Sequence, residues 1–115
     1  MNDKAEAAKS KVDNAMKTWS SLQETIQQGR AEKNPSVAQW MRQAIQLYEE
    51  MLAVYCDAVN ERSAIEPMNG KERIDFVKVK LRSPQAFQQL QALFKEAAKK
   101  AASLYARSKR SETIK

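Results

Sequence analysis

Three carboxylates in the middle of the chain have a spacing at which side chains could do chemistry together. Glu50, Asp57 and Glu61 are seven and four residues apart, which places them near one stripe of a helix. Paired carboxylates can act as general acid and base or bind a metal ion. The chain has no histidine, so it has neither the Glu-x-x-His motif of di-iron bundles nor a Ser/His/Asp set. It also has no glycine-rich phosphate loop. We therefore predict a protein that is not an enzyme, with no catalytic, cofactor-binding or metal-binding residues.

Basic residues of the C-terminal third are the second group that could bind a ligand. Lys78, Lys80 and Arg82 alternate along the chain and would project from one side of an extended segment. Further cations follow along a predicted helix, where Lys95 and Lys99 are one turn apart. The predicted residues for binding a partner or polyanion are Lys78, Lys80, Arg82, Lys95, Lys99, Lys100, Arg107, Lys109 and Arg110.

The distribution of charge says more than the formal net charge of +6. Residues 67–115 carry twelve basic and four acidic side chains, a net of +8, whereas residues 34–66 carry two basic and five acidic ones, a net of −3. Such asymmetry is typical of an electrostatic docking surface. A solvated face, with cations that suit the dipole of a helix C-terminus, would produce the same pattern, so both interpretations stay open.

Two functional hypotheses fit these patterns. The first is a protein-interaction module, which could be an adaptor, a chaperone-like protein or an assembly component. It would dock on another protein or on itself through the basic third, through the wide apolar face of a helix predicted at about 35–65, or through both. The alternative is a non-specific nucleic-acid-binding protein that contacts phosphates through residues 78–82 and the last helix. Phe87, Phe94 and Tyr105 fall on an apolar seam, not among the lysines, so base stacking is not indicated. Phosphate contact alone would be non-specific and salt-dependent.

The composition favours helices as the elements that position these residues. Gly and Pro number two and three, while the good helix formers Ala, Gln, Lys and Glu are plentiful. Asn34-Pro35 and Ser83-Pro84 match the cap and first position of a helix, and Gly29 and Pro67 match helix stops. We predict an all-α, antiparallel up-down-up bundle of three helices at about 3–29, 35–65 and 84–108.

Apolar residues recur at alternating steps of three and four in each predicted helix, which defines one buried seam per helix. The seam of the second helix is the widest, which suits a central helix with two neighbours or an additional partner. The predicted seams are Ala5, Ala8, Val12, Ala15, Met16, Trp19, Leu22 and Ile26; Val37, Met41, Ala44, Tyr48, Met51, Tyr55 and Ala58; and Phe87, Leu90, Phe94, Ala97, Ala101, Leu104 and Tyr105.

The connection 66–83 is the ambiguous part of the chain. Ile74, Phe76, Val79 and Leu81 nearly alternate with polar residues, which predicts an extended segment, and the β-branched content favours it. Ile74, Val77 and Leu81 would also share a face of a helix. We predict an extended connection, a single domain over 1–115 and a frayed basic tail at 109–115.

The sequence also bears on where the protein acts. No apolar run approaches the roughly 20 residues of a transmembrane helix. Residues 1–12 are charged and contain no apolar signal core, and Cys56, as the lone cysteine, excludes an internal disulfide. These features predict a cytoplasmic protein without a membrane span, and they are compatible with secretion by a dedicated machine.

Overall fold

Four helices make up the part of the chain that the structure describes. The computed structural model describes residues 3–61 and 64–114, and for residues 3, 5 and 108–114 it describes the backbone alone. Within these ranges there is no β-strand, so the predicted all-α class is confirmed. The helices are α1 (Asp3–Ala31), α2 (Val37–Val59), α3 (Gly70–Val79) and α4 (Pro84–Ile114).

Helix α3 occupies the connection for which we predicted an extended segment, so the predicted count of three helices is wrong. Ile74 and Val77 are buried one helical turn apart, whereas Phe76 and Val79 are exposed. A lone extended segment would leave its backbone groups without strand partners, and a helix satisfies them internally. Burial of Ile74 and Val77 in that conformation outweighs the weak strand preference of the β-branched residues.

The additional helix changes the direction of the last one. Trp19 stacks on Phe94 and Lys9 lies over the ring of Tyr105, so α1 and α4 are antiparallel. Lys78 pairs with Glu49, whereas the start of α3 lies beside later residues of α2, so α2 and α3 are also antiparallel. Because α3 returns the chain along the bundle, α4 runs parallel to α2. The order is up-down-up-down, and the predicted up-down-up order is wrong.

Helix α2 ends at Val59, not near residue 65 as predicted. Asn60 adopts a left-handed conformation with φ 55° and ψ 44°, and its N–H donates to the carbonyl of Cys56. Asparagine tolerates this conformation better than most residues, and it ends a helix there. At the other end, α2 begins at Val37 because Asn34 and Pro35 form a preceding turn, in which the Ser36 N–H donates to Asn34 Oδ1 at 2.8 Å.

The predicted start of the last helix is confirmed, whereas its predicted end at residue 108 is wrong, because α4 continues to Ile114. Ser83 Oγ accepts a hydrogen bond from the Ala86 N–H at 3.0 Å, as an N-cap does, and Pro84 is the first helical residue. Gly29, predicted as a helix stop, lies inside α1 instead. A Cβ atom at Gly29 would lie 2.5 Å from Cζ3 of Trp40, so the glycine lets α2 approach closely.

The predicted seams form the core. Of the described seam residues, most are buried, and Met16, Leu22, Ala58 and Leu104 are partly buried against them. Aromatic rings join three helices at the centre: the rings of Trp19 and Phe94 stack at 4.3 Å, and Tyr48 meets Phe94 edge-on at 5.5 Å. Offset-stacked and edge-on pairs contribute about 0.5–1.5 kcal/mol beyond burial.

Tyr48 carries a buried hydroxyl that has no hydrogen-bond partner among the described residues. Burial and the nearby charge of Glu66 raise the pKa of this hydroxyl well above its ordinary value of 10.0. An unpaired buried hydroxyl costs about 1–3 kcal/mol. We therefore expect Tyr48→Phe to increase the free energy of unfolding by about 1 kcal/mol at neutral pH.

The Tyr48→Phe difference should depend on pH. Above pH 10 the unfolded Tyr48 loses its proton while the folded one keeps it, so the wild-type protein loses stability as the pH rises. The variant lacks this loss, and urea unfolding at pH 7 and pH 11 should show its advantage widening at the higher pH. A destabilised variant at pH 7 would show instead that the hydroxyl is hydrogen-bonded in solution.

Candidate functional site

The predicted basic surface is divided by the fold. Lys78 forms an ion pair with Glu49 of α2 at 2.7 Å, which takes it out of any free basic surface. Residues 84–94, at the start of α4, carry no charge and separate Lys80 and Arg82 from the cations that begin at Lys95. This uncharged stretch covers about 16 Å of helix at 1.5 Å per residue. The predicted residues therefore fall into two groups, not one continuous surface.

The first group lines the end groove, which we define by Trp40, Arg42, Lys80, Leu81 and Arg82. This open groove, of about 830 Å³, lies between the start of α2 and the segment that joins α3 to α4. None of its described lining residues is acidic. Arg82 donates one long hydrogen bond, of 3.4 Å, to the Pro35 carbonyl. Among the described residues no carboxylate forms an ion pair with its three cations, so they face solvent unneutralised.

Sequence reasoning missed two members of the end groove. Arg42 belongs to the acidic middle third, so charge counting does not single it out, and Trp40 fits the wide apolar face of α2. In the fold Trp40 is half-buried and packs on Gly29 while lining the groove. Trp40 and Arg42, two positions apart at the start of α2, could have indicated a binding site. Their position beside Lys80 and Arg82, however, depends on tertiary structure.

The second group lines the side groove, which we define by Met68, Lys99, Lys100, Leu104 and Arg107. It has a volume of about 580 Å³ and lies between the segment before α3 and the second half of α4. Met68 is 76% exposed, although it is apolar. Lys100 Nζ donates to the carbonyl of Glu66 at 2.8 Å, which fixes one wall of the groove. The groove therefore combines accessible apolar side chains with cationic ones.

Arg73 of α3 sets the charge of the side groove. Its guanidinium donates to both carboxylate oxygens of Glu96, at 2.8 and 2.7 Å, to Gln89 Oε1 at 2.6 Å, and to the Met68 carbonyl at 3.0 Å. The hydrogen bond from Arg73 holds the pKa of the Glu96 carboxyl below its usual value. Because Arg73 neutralises Glu96, the net charge of the groove comes from Lys99, Lys100 and Arg107.

The remaining predicted residues lie outside both grooves. Lys95 is exposed and lines neither groove, and the side chains of Lys109 and Arg110 lie outside what the structure describes. The wide apolar face of α2 is largely covered within the molecule, where Met41, Tyr48 and Met51 are buried. It leaves Val54 as an exposed large apolar residue of α2.

The predicted acidic stripe is interrupted, because α2 ends at Val59 and Glu61 lies beyond the left-handed Asn60. Glu50, Asp57 and Glu61 are exposed, and no group of three potential ligands that could hold a metal ion occurs among the described residues. No described helix combines the length and the hydrophobicity needed to cross a bilayer.

Comparisons with known proteins place the chain in a family. No curated protein and no solved structure matches it. A family model described as YpoC-like protein matches residues 9–109, a span that includes α2, α3, most of α1 and α4, and both grooves. Since this match covers most of the chain, the protein belongs to the YpoC-like protein family.

Proposed function

We propose that the protein is a non-catalytic interaction module whose side groove docks an acidic, amphipathic helix of a partner protein. One observation carries the proposal: the exposed Met68 lines a groove together with Lys99 and Arg107. The carboxylate that also lines this groove, Glu96, is already bound to Arg73. The groove therefore presents apolar surface and uncompensated positive charge together.

This combination fits a protein partner better than a free polyanion. Protein interfaces have an apolar centre inside a polar rim, and methionine adapts its shape to the side chain that it meets. The cations Lys99 and Arg107 lie about two turns apart on α4. A partner helix with two carboxylates about two turns apart would match these cations, and an apolar residue between the carboxylates would contact Met68. Attraction between the opposite charges would increase the rate of association.

Affinity capture with matched variants tests the side groove. We expect tagged wild-type protein to retain a specific protein from nuclease-treated lysate. Met68→Asp or Arg107→Glu should reduce its recovery at least tenfold, because they put a negative charge in place of an apolar contact or of a cation. Val54→Asp and Lys95→Glu make the same chemical changes on exposed sites outside the groove and should leave recovery unchanged. Equal recovery with all four variants, or loss of the partner on nuclease treatment, would contradict the proposal.

The alternative of a nucleic-acid-binding protein with one phosphate track along residues 78–82 and α4 receives less support. Lys78 is held by Glu49, and residues 84–94 interrupt the charge. Of residues 78–82, Lys80 and Arg82 line the end groove and have no carboxylate partner among the described residues.

A further inference from the structure

We propose that the end groove is a binding site for a short stretch of single-stranded nucleic acid. The site is separate from the side groove, since the two lie about 30 Å apart along α4. Three features support this site: cations on two walls without a carboxylate partner among the described residues, an aromatic residue in the lining, and two helix starts at the groove.

The cations come from two different elements of the fold. Arg42 projects from α2, while Lys80 and Arg82 come from the segment between α3 and α4, and all three are exposed. The groove contains no acidic lining residue among those described. Arginine presents a planar fork of donors that matches phosphate oxygens, and opposed cations can hold a phosphate backbone that passes between them. A repelling carboxylate would prevent this, and none is present on the described walls.

Trp40 gives the groove a second property. Its ring rests on Gly29, so it is held in place, and the residue remains half-buried while lining the groove. Proteins that bind single strands combine an electropositive groove with aromatic side chains on which bases stack. An acidic peptide could match the cations but has no bases to stack beside Trp40. The groove therefore favours a nucleic acid over an acidic protein segment.

Two helix starts add to the positive character of the groove. Ser36 and Ser83, the residues before α2 and α4, both line it. Free backbone N–H groups and the helix dipole give each start a partial positive charge. This contribution supplements the three cations. A double helix is a poorer match, because reading it requires a protein element that enters its major groove, whereas this site is a groove in the protein itself.

A charge-reversal pair of variants tests the site with a defined probe. The probe is a fluorescein-labelled twelve-nucleotide oligo(dT), and binding is followed by fluorescence anisotropy over a potassium chloride series. We expect the triple variant Arg42→Glu/Lys80→Glu/Arg82→Glu to weaken binding at least tenfold and to flatten the salt dependence. The triple variant Lys95→Glu/Lys99→Glu/Arg107→Glu makes the same change in net charge elsewhere and should stay within threefold of the wild type. Far-UV circular dichroism checks that both remain helical.

Several results would overturn this proposal. Equal weakening by both triple variants would indicate diffuse attraction to the whole basic third. Effective competition by a twelve-residue oligoglutamate would indicate an acidic protein ligand. Binding of the oligonucleotide should also quench the tryptophan fluorescence, through Trp40, since Trp19 is buried. Unchanged fluorescence at saturation would rule out stacking on Trp40, and no binding at low salt would rule out the site altogether.

Discussion

Val77→Asp is expected to lower the free energy of unfolding by at least about 4 kcal/mol, because it places an unpaired carboxylate where Val77 is 0% exposed. Val79→Asp makes the same substitution two residues further on, where the side chain is 76% exposed, and should change stability by less than about 0.5 kcal/mol. Urea unfolding followed by circular dichroism at 222 nm measures both values.

This comparison separates the two conformations that the connecting segment could adopt. In an extended segment, residues 77 and 79 would lie on the same face and would respond alike. In helix α3 they lie on nearly opposite faces, so a large difference is expected only from the helix. If Val77→Asp prevents folding, Val77→Ala and Val79→Ala give the same contrast at smaller amplitude. Equal effects of the two alanine substitutions would show that α3 is not formed in solution.

Phe94→Ala should be the most destabilising truncation in the core, with an expected loss of about 3–5 kcal/mol. Phe94 is 0% exposed and lies where α1, α2 and α4 meet. Its ring stacks on Trp19 at 4.3 Å and meets Tyr48 at 5.5 Å, so the substitution removes two ring contacts and leaves a cavity between three helices. With a typical unfolding free energy of about 5–15 kcal/mol, such a loss takes up much of the total.

Phe76→Ala is the control for Phe94→Ala, since it truncates the same side chain at a site that is 39% exposed on α3. We expect a loss of less than about 1.5 kcal/mol there, because little cavity forms at the surface. Removal of the Phe94 ring should also shift the emission of Trp19 to longer wavelength as water approaches it. A loss at Phe94 no larger than that at Phe76 would contradict the three-helix packing described above.

The long helices could be predicted because their local signals agree with their tertiary surroundings. The three-and-four spacing from Ala8 to Ile26 marks one face, and that face is the one that the bundle buries. Ser83 and Pro84 start α4 by contacts within one turn of the chain, which need no other element. Short-range chemistry of this kind is readable from sequence alone.

Helix α3 could not be predicted because its residues satisfy two periodicities at once. Ile74 and Val77 fit a helix, whereas Ile74, Phe76 and Val79 nearly fit an extended segment, and only the surfaces of α2 and α4 decide between them. Asn69-Gly70 is a typical turn pair, and Asn69 takes a left-handed conformation (φ 55°) directly before the helix. The turn signal was correct, and it marks a helix start.

The candidate sites depended still more on tertiary contacts. Charge counting could not show that Lys78 pairs with Glu49, twenty-nine residues away, or that Arg73 neutralises Glu96. The uncharged stretch 84–94 is visible in the sequence, but the prediction treated the cations on both sides of it as one set. What the sequence could not show was that Arg42 and Trp40 of α2 would join the cations beyond α3.

The up-down-up-down order has a practical consequence for how the molecule can be held. Helix α1 begins, and α4 finishes, at one pole of a body that is 55 Å long, whereas the end groove occupies the opposite pole. A tether attached to either chain end would thus point the end groove away from a sensor surface and leave it open to large ligands. The same tether would crowd the side groove, which lies near Arg107. Immobilisation through a cysteine placed in the 32–36 connection would instead leave the side groove accessible and crowd the end groove. The two attachment points would therefore allow ligand binding to each groove to be measured separately.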